Sequence, residues 1–304
     1  MTANSRTRSA WLAAIAVPLL LASAAVVQNR IDVTAQSETT EQDYLVLRSP
    51  AVVKKLSLGF DALLADIYWT RAVQYYGQRI GDVHTKFESL SPLLDIATTL
   101  DPKLMVAYRF GAIFLSEPRA LGAGRTDLAV KLVQKGIDAN PNEWILNYDL
   151  GFLYYWRLKD YPKAAQVYAE GGKKPHAPVI LTLMAARVAE KGNDLETSRM
   201  IFLQLYESSK NKNVRKLAMR ELRSLKAQED EMHLDEIIQD YKRKFGHYPA
   251  STKEMVAAGM LPFVPVDSIG FPYVIGPDGK SHLNPDSPIE PDPDKPLQLQ
   301  QLKP

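Results

Sequence analysis

From about residue 49 to residue 228, apolar positions recur every three or four residues, and most prolines and glycines fall between the periodic segments. That pattern predicts a succession of amphipathic helices, each turning one face to a core. The sustained apolar/polar alternation of half-buried strands is missing from this block. After it, residues 232–245 predict another amphipathic helix, with Leu234, Ile237, Ile238 and Tyr241 on one side. Val274, Ile275 and the residues after Lys280 then predict a small hairpin, with Pro277-Asp278-Gly279 as its turn. Residues 285–304 carry Pro285, Pro288, Pro291, Pro293, Pro296 and Pro304 among Asp286, Glu290, Asp292 and Asp294. Such a composition buries no core and predicts an extended, solvated tail.

The other end of the chain has a different character. Residues 11–27 are charge-free and almost wholly apolar, and Arg6 and Arg8 precede them with no acid nearby. A helix of that length, at 1.5 Å per residue, is at the short end of what spans a ~30 Å hydrocarbon core. The basic flank predicts a cytoplasmic N-terminus and an exported body. A cleaved signal peptide ending near Ala24, at Ala22-Ser23-Ala24, is the rival reading, and a buried soluble helix is a third. The anchor is favoured because the apolar run continues through Ala25, Val26 and Val27. Either of the first two readings places the body across a membrane, with the polar residues 31–48 as a stalk. In a bacterium, the anchor reading implies a single-pass inner-membrane protein with a periplasmic body, and the signal-peptide reading a body exported after cleavage near Ala24.

The helical middle repeats itself. Ala129, Val133, Gly136 and Pro141 stand at offsets 0, 4, 7 and 12; Ala164, Tyr168 and Pro175 stand at 0, 4 and 11; Ser198 and Phe202 repeat the first two. Upstream of each copy lies a helix with a small central residue: Gly111, Gly151 and Ala186. These positions resemble the tetratricopeptide repeat (TPR), in which small residues let two helices approach and a large residue fills the next gap. Three units and a weaker fourth, which includes Trp69 and Tyr75 and ends at Asp101-Pro102, cover roughly residues 60–225. The first copy carries an insertion, SEPRALGAGR, between its helices, and the second has one extra residue. The expected fold is mostly α: a TPR-like α-solenoid of helical hairpins, with a non-repetitive helical bundle as the alternative.

The C-terminal part has its own resemblance. Tyr248-Pro249, a short helix, Gly259, Pro265-x-Asp267 and Gly270-Phe271-Pro272-Tyr273 are similar in order to the globular part of major type II secretion pseudopilins, over about forty residues. Ser268 stands where that family prefers proline, and the long N-terminal pilin helix is missing, which argues against assembly as a pilin subunit. A capping extension of the solenoid is the other reading. The expected organisation is therefore a membrane or signal segment at 1–30, a stalk at 31–48, TPR-like repeats at 49–228, a small α+β or irregular module at 229–284, and a disordered acidic tail at 285–304.

Composition narrows the chemistry. Across 304 residues, 37 Lys+Arg against 35 Asp+Glu leave a formal charge of +2, without the large basic excess of a nucleic-acid binder. The complete lack of cysteine excludes disulfides, thiol catalysis, Cys-ligated zinc and iron–sulfur clusters. His84, His176, His233, His247 and His282 show no i, i+4 metal spacing, so no metal or cofactor is expected. Residues 121–126, LGAGRT, lack the glycine spacing and lysine of a phosphate loop and read as a flexible loop, with Thr126 capping the next helix. Glu229-Asp230-Glu231 opens a charged helix and reads as solvated. The basic stretch from Lys210 to Lys226 fits a polar helix face, with an acidic partner or anionic lipid as the other possibility.

The repeat resemblance implies a concave groove, lined by helix A residues at offsets −6, −3, +1 and +4 from the small central residue. In the second repeat these are Ile145, Tyr148, Phe152 and Tyr155. The first repeat supplies Met105, Tyr108, Ala112 and Leu115, and the third Ile180, Leu183, Arg187 and Glu190. An aromatic groove with a charged end suits an extended peptide or an amphipathic helix, unless a further hairpin or the C-terminal module fills it. The expected function is a non-enzymatic protein–protein scaffold at the cell envelope that assists a secretion or pilus assembly. The alternative is an accessory subunit of an envelope enzyme or transporter, with a small-ligand site in the C-terminal module.

Overall fold

The computed structural model describes residues 49–289, apart from Val83 and Thr85, together with Val26. The apolar run 11–27 (Val26 aside), the stalk and the chain beyond Ile289 lie outside the described residues. Among the described residues, no helix is long and apolar enough to cross a membrane. The protein is mostly helical with little sheet, and it divides into two compact units at Asp101/Pro102.

The described part of the first unit has three helices: α1 (Pro50–Leu56), α2 (Asp61–Gly77) and α3 (Leu90–Leu100). Ala65, Tyr68, Ala72 and Tyr75 recur at helical spacing along α2 and are buried, and α2 packs on α3. The Tyr75 hydroxyl accepts from Ser89 N–H at 3.2 Å and donates to the Lys86 carbonyl at 3.3 Å. A large aromatic is thereby buried with its polar end satisfied.

The second unit runs α4 (Met105–Ser116), α5 (Thr126–Ala139), α6 (Trp144–Phe152), a π-helical turn (Leu153–Leu158), α7 (Tyr161–Gly172), α8 (Val179–Lys191), α9 (Leu195–Ser208), α10 (Lys212–Phe245) and α11 (Thr252–Ala257). From α4 to α10 each helix packs on the next, an arrangement consistent with an α-solenoid. Asp160 and Asp194 start α7 and α9 by accepting the N–H groups of Lys163 and Thr197. Thr126 does not cap α5. It is the first helical residue, Arg125 holds the cap position, and Asp127 in the first turn chelates the Arg125 guanidinium. The loop before it is tied down rather than free: the N–H groups of Ala123, Gly124 and Arg125 donate to the carbonyls of Phe114, Glu117 and Leu115. Those amides are spent on the helix end, so none is left to cradle a phosphate.

The extra residue of the second repeat has a structural counterpart. Gly151 and Ala164 are 13 residues apart, whereas Ala186 and Ser198 are 12 apart. The π-helical turn lies inside the longer interval and absorbs the surplus residue without breaking the helix.

α10 runs for 34 residues straight through the expected boundary at 228/229. Its first half, with Val214, Leu217, Ala218 and Leu225, shares a core with Leu183, Ala186, Phe202 and Leu205. Its second half, with Leu234, Ile238 and Tyr241, shares another with Met255, Leu261 and Tyr273. The helix ends at Gly246, whose left-handed φ of 82° suits the cap. Asp230 and Glu231, expected to be solvated, are mid-helix acceptors for the C-terminal module. Tyr273 Oη donates to Asp230 at 3.1 Å and Leu283 N–H to Glu231 at 2.8 Å. The predicted hairpin is present: β1 (Val274–Ile275) pairs antiparallel with β2 (Ser281–His282), with Val274 opposite His282. The start of the expected tail is corrected as well, since Ser287 Oγ bonds Asp267 at 2.5 Å and Ile289 is buried.

Candidate functional site

The second repeat gathers most of the aromatic residues expected to line the groove. Gly151 has no side chain, and the Tyr168 ring of α7 fills the space it leaves. Tyr148 lies 6.2 Å from Tyr168, centroid to centroid, and Tyr155 lies 5.7 Å from Tyr161. Tyr148 and Tyr155 are half-buried against a cluster that includes Ala164, Ala165, Tyr168, Ala185 and Val188. Burial, with the nearby Tyr148, Tyr155 and Asp149 adding to it, pushes the Tyr168 phenol well above its ordinary pKa, so it stays protonated. Its hydroxyl has no hydrogen-bond partner among the described residues.

Phe152 extends outward from this base. It is 42% exposed and stacks on Trp156, itself 52% exposed, with ring centroids 6.4 Å apart and planes 13° from parallel. The two residues are four apart, the spacing that puts side chains on one helix face, and Trp156 lies within the π-helical turn. Lys159 places its ammonium 4.6 Å from the Trp156 ring centre, and Lys191 approaches Tyr155 at 5.8 Å. The result is a stacked, half-exposed aromatic pair with the Lys159 ammonium over the Trp156 ring and Lys191 beside Tyr155.

Two of the expected groove residues are placed elsewhere. Tyr108 is fully buried, and its ring lies on Gly136, close enough that a Cβ there would come within 2.8 Å of it. It fills the space between α4 and α5 and offers no surface. Arg187 is held inside an ion network: it meets Glu190 at 3.2 Å and Glu221 of α10 at 2.7 Å, and Gln228 donates to Glu190 at 2.8 Å. α10 covers the third repeat, so that end of the expected groove is closed by packing. Ile145 remains half-buried beside Tyr148 on α6. Of their companions, Ala112, Leu115, Leu183 and Glu190 are buried, and Met105 and Ile180 are half-buried.

Sequence reasoning passed over Trp156, Lys159 and the exposed Phe110 and Ile113 of α4. It also missed two ion pairs, one joining α4 to α6 and one joining the end of α4 to the π-helical turn. Arg109 Nε meets Asp149 at 2.7 Å, and Arg157 pairs with Glu117. Both pairs span 40 residues, the same interval that separates Gly111 from Gly151. That shared interval was a usable signal. Burial pushes the Asp149 carboxyl up, while the Arg109 guanidinium pulls the other way.

The five histidines are all exposed, and among the described residues no three His, Asp or Glu converge on a metal-sized site. Compared with known proteins, the chain matches no family model, no curated protein and no solved structure.

Proposed function

We propose that the second unit is a tetratricopeptide-type scaffold that holds a protein partner through the aromatic face of its second repeat, and that it does so without catalysis. The observation that carries this reading is the exposed Phe152–Trp156 stack rising from a half-buried base of Tyr148 and Tyr155. Large rigid aromatics exposed as a pair on a packed base are the usual anchors of peptide recognition. The partner is a peptide or amphipathic helix with apolar side chains at helical spacing, and Lys159 and Lys191 favour acidic residues at its edge. Residues 11–27 would tether the scaffold to a bacterial inner membrane with its body in the periplasm. The order of residues from Tyr248 to Tyr273 links it to secretion or pilus machinery.

The test is selection of a displayed random-peptide library on the full chain and on the Phe152→Ala/Trp156→Ala double variant. Wild type should enrich peptides with two apolar anchors at i, i+3 or i, i+4 spacing, and their affinity should fall about ten-fold or more in the variant. Equal enrichment by a folded double variant defeats the reading. For topology, a phosphatase reporter fused after residue 304 should be active; an inactive fusion overturns the exported orientation.

A further inference from the structure

The first half of α10 carries Lys212, Arg215, Lys216, Arg220 and Arg223, all exposed. Taken alone, this is an ordinary solvated helix face. The fold adds a second wall: Ile269, Pro288 and Ile289 of the C-terminal module stand across from it, with Tyr206 and Leu217 alongside. Together they enclose a cavity of about 520 Å³. Arg220 pairs with Glu221 at 3.0 Å, and Arg215 lies 4.9 Å from the centre of the Tyr206 ring. Lys212, Lys216 and Arg223 pair with no carboxylate among the described residues. The cavity is cationic along one wall and apolar along the other. It is elongated too, since residues 212 to 223 of a helix cover about 16 Å.

A single phosphate leaves most of that length unused, whereas an extended chain with acids at regular intervals matches it. We propose that this cavity is a site for an acidic peptide, and that its occupant is residues 290–294 of this chain, Glu-Pro-Asp-Pro-Asp. Ile289 already forms part of the wall and is buried, so the described chain ends at the cavity itself. Pro291 and Pro293 favour polyproline geometry, in which Glu290, Asp292 and Asp294 would follow one another about 6 Å apart along the axis, turned about 120° from one another, so that two of the three can face the wall at once. Successive cations at i, i+4 on the helix fall about 6 Å apart as well. Five residues reach roughly 17 Å when extended, the length of the cationic wall. Covalent attachment at Ile289 gives the segment a millimolar-scale effective concentration, which exposed charge pairs need if they are to form.

The chain has no cysteine, so two introduced thiols report on each other alone. In the full chain, Met219→Cys on the cavity wall is combined with Lys295→Cys just past the acidic segment, and disulfide formation is timed under mild oxidation. Asp138→Cys, on the exposed side of α5, replaces Met219→Cys in the control. The wall pair should close about ten-fold faster than the control. That excess should vanish in 1 M NaCl, where the Debye length is ~3 Å, and in the Glu290→Gln/Asp292→Asn/Asp294→Asn variant. Equal rates for charged and neutral tails overturn the proposal. So does equal binding of an added poly-glutamate peptide, or of phosphatidylglycerol vesicles, by wild type and by a chain ending at residue 289. In that case the cationic wall is open, and its ligand comes from outside.

Discussion

The Tyr168 ring occupies the space where a side chain at residue 151 would begin, so that a Cβ on Gly151 would lie 2.5 Å from Tyr168 Cε1. No real Cβ sits that close, and the ring is fully buried with nowhere to retreat. Gly151→Ala should therefore destabilise the second unit by about 1–3 kcal/mol, read as a lower urea midpoint, despite alanine's better helix propensity. Gly77 at the end of α2 has nothing within 4 Å of the position a Cβ would take, and Gly77→Ala there should be neutral or stabilising by up to about 1 kcal/mol. The same ring predicts an opposite sign at its tip. Tyr168→Phe removes a buried hydroxyl with no partner among the described residues, so it should leave stability unchanged or raise it by about 1 kcal/mol.

Arg187 offers a second test of packing against function. Its guanidinium stands between Glu190 and Glu221, whose side chains are only 2% and 5% exposed. Arg187→Met keeps the volume and leaves two buried carboxylates short of a cation. Removing one partner of such a network costs about 3–5 kcal/mol, and the contacts of Arg220 with Glu221 and Gln228 with Glu190 place this case toward the lower end. A chemical-denaturation midpoint unchanged from wild type would show that Arg187 is not structural and would return it to the partner-binding surface.

Much of this architecture was legible because the signals were local. A small residue at 151 with Tyr168 beyond it predicts a close helix pair, and Pro277-Asp278-Gly279 predicts the turn that joins β1 to β2. The course of α10 was not legible, for a physical reason. Glu229-Asp230-Glu231 looks like the acidic first turn of a new helix, yet Asp230 and Glu231 accept bonds from Tyr273 and Leu283, more than forty residues further on. Burial raises the Glu231 carboxyl above its ordinary range, which a solvated first-turn acid would not show. Within the site, the repeat register picked out Tyr148 and Phe152, but its groove offsets stop at Tyr155, so Trp156, four residues after Phe152 and on the same helix face, was passed over.

Asp267 makes the C-terminal module sensitive to acid. Burial opposes its charge, but Ser287 Oγ and the N–H groups of Phe271, Ile269 and Gly270 all donate to it, and together they hold its pKa below the ordinary carboxylate value. A depressed folded pKa means that the unfolded chain binds the proton more readily. The stabilisation is therefore fully present above about pH 4 and is lost as the pH falls through the folded value. Asp267→Asn should cost about 1.5–3 kcal/mol at neutral pH and remove this acid-dependent component. Amide exchange at Ile269, Gly270 and Phe271 between pH 5 and 2 reads both effects. Parallel pH profiles for wild type and variant would show that these donors do not hold the carboxylate.

Lys159 combines a backbone cost with a side-chain gain at the border of the aromatic face. It ends the π-helical turn at φ 55°, in the left-handed region, and its ammonium lies over Trp156 and Tyr155. Two substitutions separate the effects. Lys159→Met and Lys159→Gly both remove the charge, but only glycine relieves the backbone, so the glycine variant should be the more stable of the two by about 1–2 kcal/mol. Wild type and Lys159→Met share the strained backbone, and their difference isolates the contact with the rings, about 0.5–1 kcal/mol at an exposed site. If the scaffold uses this cation to favour acidic partners, both variants should lose that preference equally, whatever their stabilities. Loss in one variant alone would place the effect in the backbone of the turn and remove Lys159 from the recognition surface.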